Sequence, residues 1–157
     1  MASYYFTIIG TLDRPLYELE FASFKNPTAQ GVPGKSQFSA SVKEILPFIA
    51  NSSLDVVEDA QWNSNQFHLG KIDAFFGLQV NGYITQGNIK FLLCYETPTN
   101  ANLALHAKQD DTTLKQFFNE VNDLYVKCLL NPFYSVNDAI TSPDFDLRVK
   151  LIVRKYL

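Results

Sequence analysis

No uninterrupted apolar run in the 157-residue chain approaches the roughly 18 residues needed to cross a bilayer. The N-terminus has neither the basic flank nor the small-residue cleavage site of a signal peptide. A soluble, intracellular protein is expected, with peripheral membrane attachment left open through partners. Cysteine is scarce: Cys94 and Cys128 are the two present. They lie in apolar runs without CxxC or metal-ligand spacing, so they read as reduced core residues, with a buried disulfide as the alternative. Excess positive charge is also missing. A net charge of −3 and a pI near 5.3 supply no global basic field to gather phosphates, which argues against nucleic acid as a partner.

Histidine is equally sparse, with only His68 and His106, so a nucleophile would have few bases to activate it. His68, between Phe67 and Leu69, reads as a structural residue, and His106 as an exposed residue in a polar loop. The sequence contains no H-E-x-x-H, EF-hand, nucleotide-fingerprint or G-x-S-x-G pattern. GVPGKS, Gly31 to Ser36, lacks the GxxxxGK[ST] spacing and the buried strand that aims a phosphate loop. The residues therefore point away from catalysis, and no cofactor or metal is implied.

What is abundant is apolar and aromatic surface, 46% and 14% of residues, which suits one packed domain over residues 1–157. Tyr4 to Ile9 and Leu16 to Phe21 form a predicted hairpin whose second strand alternates Tyr17, Leu19 and Phe21 with Glu18 and Glu20. Those two carboxylates read as a solvated face, because no histidine accompanies them for acid/base chemistry. Residues 25–41 are rich in Asn, Pro, Gln, Gly and Ser and read as a loop. Ser41 and Glu44 have capping-box spacing, but Pro47 would break a helix begun there, so the first helix is expected to start near Leu46.

Ile49, Ser53, Val56, Val57 and Ala60 supply the core stripe of that helix. Strands are expected over Ile72 to Val80 and Ile89 to Tyr95. Of two candidate turns, Gln86-Gly87-Asn88 is preferred over Asn81-Gly82, because it matches a strand Gly77 to Thr85 with Ile89 to Glu96. Residues 97–109 read as a second loop. Asp111 to Leu130 then carries Leu114, Phe117, Phe118, Val121, Leu124, Tyr125, Cys128 and Leu129 at helical spacings. Ser142-Pro143 opens a last helix with Phe145, Val149, Ile152 and Tyr156 on its apolar stripe. Its Arg148, Lys150, Arg154 and Lys155 read as a dipole-compensating face, or as a contact for acidic lipid or an acidic partner.

Two surface features stand out. SSLDVVEDAQW places Asp55, Glu58 and Asp59 on the first helix ahead of Trp62, either as a solvated face beside a core tryptophan or as a protein contact. Asn131-Pro132-Phe133-Tyr134 resembles an NPxY sorting peptide. Its place at the end of an amphipathic helix instead predicts a helix stop, with Phe133 and Tyr134 turned back onto the domain.

RPLYELEF, SLDVVEDAQW, LYVKCLLNPFY and SPDFDLRVK, in this order, resemble the sedlin family of small TRAPP subunits over almost the whole chain. The resemblance implies an α+β longin-like fold, also called SNARE-like or profilin-like: a five-stranded antiparallel sheet with one helix on one face and two on the other. The element order read from the residues is the same. It also implies a non-catalytic core or adaptor subunit of TRAPP tethering complexes, which act as exchange factors for a Rab-type GTPase in ER-to-Golgi and Golgi traffic. The implied partners are other small core subunits and larger complex-specific subunits, with the GTPase engaged only through the assembly. The implied location is cytoplasmic, peripheral at ER–Golgi intermediate and Golgi membranes. Asp55 matches a family position where charge is associated with partner binding; Glu58, Asp59 and Trp62 extend that assignment along the same helix. The alternative is a stand-alone longin-like regulator that binds a SNARE or small GTPase directly.

Overall fold

Alternating apolar residues and two tight turns shape the sheet. The computed structural model describes residues 3–22, 40–63, 66–75, 78–85, 87–96 and 103–156. In chain order the elements are β1 (Ser3–Ile9), β2 (Pro15–Ala22), α1 (Ala40–Asn63), β3 (His68–Phe75), β4 (Leu78–Ile84), β5 (Lys90–Glu96), α2 (Leu103–Leu129) and α3 (Pro143–Tyr156). The strands form one antiparallel sheet in the order β2-β1-β5-β4-β3. The expected α+β longin-like architecture is therefore present, with α1 joining one sheet edge to the other.

Strand alternation sends Tyr5, Ile9, Val80, Ile84, Leu92 and Cys94 to one face, where Leu46, Ile49, Ala50, Leu54 and Val57 of α1 cover them. The opposite residues Phe6, Ile8, Tyr83, Phe91 and Leu93 meet Leu114, Phe117, Phe118, Val121 and Tyr125 of α2 and Phe145, Val149 and Val153 of α3. Each face is thus a separate hydrophobic layer divided by the sheet. Glu18 and Glu20 are exposed, as expected, but not idle. Glu18 accepts a hydrogen bond from the Tyr5 hydroxyl at 2.9 Å, and Glu20 lies 3.9 Å from Lys43 of α1.

The preferred turn is the one observed. Thr85 N–H donates to the Ile89 carbonyl at 2.9 Å, and Asn88 takes φ 62° to close the loop. Gly82 inside β4 has a packing reason: a Cβ there would stand 3.1 Å from Ile72 Cδ1. β3 begins at His68, earlier than the expected Ile72, and ends at Phe75, so Ile72 to Val80 is divided between two strands. Its register shifts at His68/Gly70 and Lys71/Asp73, with Gly70 at φ 73°. Such bulges break the two-residue alternation by which a strand is recognised.

Both long helices start earlier than expected. α1 begins at Ala40 and runs through Pro47. An interior proline costs about 3 kcal/mol, but Pro47 sits on the exposed side while Leu46, Ile49, Ala50, Ser53, Leu54 and Val57 are buried together. Full burial of each large aliphatic side chain contributes about 1.5–3 kcal/mol, so the packed stripe outweighs the local break. α2 begins at Leu103, which places His106 on a helix and ends the second expected loop before that residue. The remainder of that loop, most of residues 25–41 including GVPGKS, and the His106 side chain lie outside the described residues.

α3 starts as expected: Phe145 N–H points to the Ser142 hydroxyl at 3.5 Å, and Asp146 N–H donates to the Ser142 carbonyl at 3.2 Å. Its cations are largely engaged locally. Arg148 pairs with Asp144 at 2.9 Å, Lys150 with Asp146 at 2.8 Å and Lys155 with Glu120 at 2.9 Å. That pattern fits the dipole-compensating reading. Both thiols are free, and burial pushes Cys94 up to about 12, so it stays protonated.

Candidate protein-interaction surface

α1 is built to hold one face down and another out. Its buried residues recur every three or four positions, and the complementary positions Asp55, Glu58, Asp59 and Trp62 follow i, i+3, i+4, i+7 spacing. The structure brings these four together on a single solvent-facing stripe. Trp62 is 84% exposed, which overturns its reading as a core tryptophan. Phe48, seven residues before Asp55, is 60% exposed and extends the stripe towards the start of the helix.

Among the described residues, no lysine or arginine forms an ion pair with Asp55, Glu58 or Asp59. Three carboxylates between two exposed aromatic rings can accept hydrogen bonds and attract cations at the rim of a contact, while the rings bury apolar area. Phe48 escapes the sequence reading because it falls in the expected first turn of the helix, where the apolar stripe is not yet defined; its i−7 spacing from Asp55 was the available signal.

The other candidates separate. His68 opens β3 with its ring 5.9 Å from that of Phe118, as a packed residue half buried beside the α2 layer. Among the described residues, no cluster of three or more His, Cys, Asp or Glu side chains could hold a metal, and no helix is long and apolar enough to cross a membrane.

NPFY is a turn. The Tyr134 N–H donates to the Asn131 carbonyl at 3.1 Å across Pro132, and the Phe133 N–H donates to Asn131 Oδ1 at 3.1 Å. α2 thus stops at Leu129, as expected for the proline. Tyr134 turns inward against the α2/α3 layer, its hydroxyl donating to the Asp138 carbonyl at 2.8 Å. Phe133 does the opposite and is 95% exposed, because the second central position of the turn points away from the chain on either side. Leu129, expected in the core stripe, is also exposed.

The following segment is clamped to the sheet. Asn137, at φ 71°, accepts from Thr11 N–H at 2.8 Å and donates to Thr11 Oγ1 at 2.7 Å. Ile140 N–H donates to the Leu16 carbonyl at 2.9 Å. A Cβ on Gly10 would lie 2.5 Å from Asn137 Oδ1, so glycine permits this approach.

The sequence family model described as Sedlin matches residues 8–155. The chain is 37% identical to the Trafficking protein particle complex subunit 20 of Saccharomyces cerevisiae, over 98% of its own length and 97% of the relative's. It is 38% identical to the Transport protein particle 20 kDa subunit of Schizosaccharomyces pombe, over 98% of each. To the Probable trafficking protein particle complex subunit 2 of Drosophila melanogaster it is 32% identical, over 100% of this chain and 99% of that protein. Family model, full-length relatives and sheet architecture agree, and the chain belongs to the sedlin family.

Proposed function

We propose that the chain is a non-catalytic core subunit of TRAPP tethering complexes, joining the small-subunit core to larger complex-specific subunits through the outward stripe of α1. The observation that carries this reading is that stripe: Asp55, Glu58, Asp59 and Trp62 are all exposed on a helix whose other face is committed to the core. The names of the full-length relatives, subunits of a trafficking protein particle complex or of a transport protein particle, support membership of such a particle. Exchange on a Rab-type GTPase in ER-to-Golgi and Golgi traffic is then a property of the assembly. The subunit reaches those membranes from the cytoplasm, peripherally and through its complex. Burial of an apolar patch with rim charges selecting the partner requires no cofactor.

Native affinity purification of the full chain tests this. It should return several other small subunits in stoichiometric amounts, and the purified chain alone should neither bind nor accelerate exchange on the GTPase. Saturable, nucleotide-dependent binding of the GTPase by the monomer would replace the adaptor with a stand-alone longin-like regulator.

A further inference from the structure

Opposite the α1 stripe, on the α2/α3 side of the sheet, lies an open groove of about 500 Å³. Tyr83 and Tyr125, both buried, contribute to its floor, and the exposed side chains of Phe67, Val126, Leu129 and Val136 form its walls. The Phe67 ring lies 6.4 Å from that of Tyr83. In the chain between Leu129 and Val136 of the walls, Leu130 and Phe133 are 76% and 95% exposed. Four exposed large apolar side chains around one groove are the mark of an interaction site.

Charge decides what it fits. No charged residue lines the groove among the described residues. A negative charge borders it: Asp123 follows Asn122 of the wall, is exposed, and acts electrostatically on Tyr83 of the floor. The C-terminal end of α2 adds the negative pole of a helix. Lys127, although adjacent to Val126 in sequence, lines a different recess between α2 and α3. An acidic lipid surface would meet like charge here. A second copy of the same groove would bring another acid-bordered apolar face and no lining cation to pair with Asp123.

The geometry points to a second docking surface, occupied by a segment of a partner protein that inserts large apolar side chains between Phe67 and Val126 and carries lysine or arginine beside them, opposite Asp123. This surface is independent of the α1 stripe and faces away from it, so both can be engaged at once.

Site-specific photocrosslinking in the assembled complex tests the inference. p-Benzoylphenylalanine incorporated at Phe133 or Val136 of the full chain, followed by irradiation and mass spectrometry, should yield an adduct with another protein. The crosslinked peptide should carry apolar residues with Lys or Arg within one helical turn. Val126→Glu should lower the adduct yield about tenfold and Asp123→Lys about fivefold, the latter as a rim-charge effect. The same probe at Trp62 should report a different contact, and its yield should not respond to Val126→Glu. Adducts with lipid or with a second copy of this chain, a crosslinked peptide without basic residues, or no adduct at either position while Trp62 crosslinks, would each overturn the proposal.

Discussion

The two faces of the sheet are filled by different chemistry. The α1 layer is mainly aliphatic, with Leu46, Ile49, Leu54, Val57, Leu78, Val80, Ile84 and Leu92 around Tyr5, the one buried aromatic of that layer among the described residues. The α2/α3 layer gathers Phe6, Tyr17, Phe21, Tyr83, Phe91, Phe117, Phe118, Tyr125 and Phe145, with edge-to-face pairs such as Phe6–Phe117 at 5.4 Å and Tyr17–Phe145 at 5.3 Å. Two helices crossing one sheet leave more volume to fill than one helix does, and aromatic rings fill it. A lone helix over its layer keeps its whole outer side in solvent, which is why α1 can present a continuous exposed stripe at no cost to the core.

The largest expected effect lies in the aromatic layer. Phe118 is fully buried and its ring contacts those of Phe6, Tyr83, His68 and Phe117; Phe118→Ala should lose about 3–5 kcal/mol in urea unfolding. Ile49→Val in the aliphatic layer should lose only about 1 kcal/mol. A loss at Phe118 no larger than that at Ile49 would contradict the full burial of its ring between Phe6, Tyr83 and Phe117. On α1 itself, Pro47→Ala should gain about 2 kcal/mol, the interior-proline cost reduced by the greater freedom of the unfolded chain. A loss there would show that the proline sets the helix direction.

Acid should weaken the α2/α3 side first. Glu120 is held below its ordinary value of 4.5 by hydrogen bonds from Lys155 and then Tyr156, and Asp146 below 3.8 by Lys150 and then Tyr17. Both folded-state values are depressed, so the stabilisation is complete above the unfolded values and lost as pH falls through the folded ones. Stability measured from pH 5 to pH 2 should fall less steeply in a Glu120→Gln, Asp146→Asn variant than in the wild type. An unchanged slope would remove these pairs from the account. The side chains are partly exposed, so the effect is smaller than those above.

The same contrast explains what could be read in advance. The α2 stripe from Leu114 to Cys128 was legible because its apolar spacing is long and regular. The start of α1 was not, since Pro47 is a strong local signal and the burial that overrides it comes from strands distant in sequence. β3 was misplaced because its bulges abolish the period of two. Asp55, Glu58 and Asp59 were legible as an exposed face, whereas Trp62 stood open between a core and a contact reading: a large aromatic at the end of an apolar stripe carries the same pattern whether it turns in or out. Phe133 was missed for the related reason that a turn's composition identifies the turn but not the direction of its central side chains.

The central claim is that the outward stripe of α1 serves recognition and contributes little to the fold. Asp55→Tyr, introduced into the full chain, separates the two roles when thermal unfolding and the composition of the purified complex are measured on the same variant. Stability within about 0.5 kcal/mol of the wild type, as expected for an exposed site, together with loss of a large subunit and retention of the small ones, is the predicted result. Unfolding of the isolated variant, or a complete complex assembled around it, would contradict the claim.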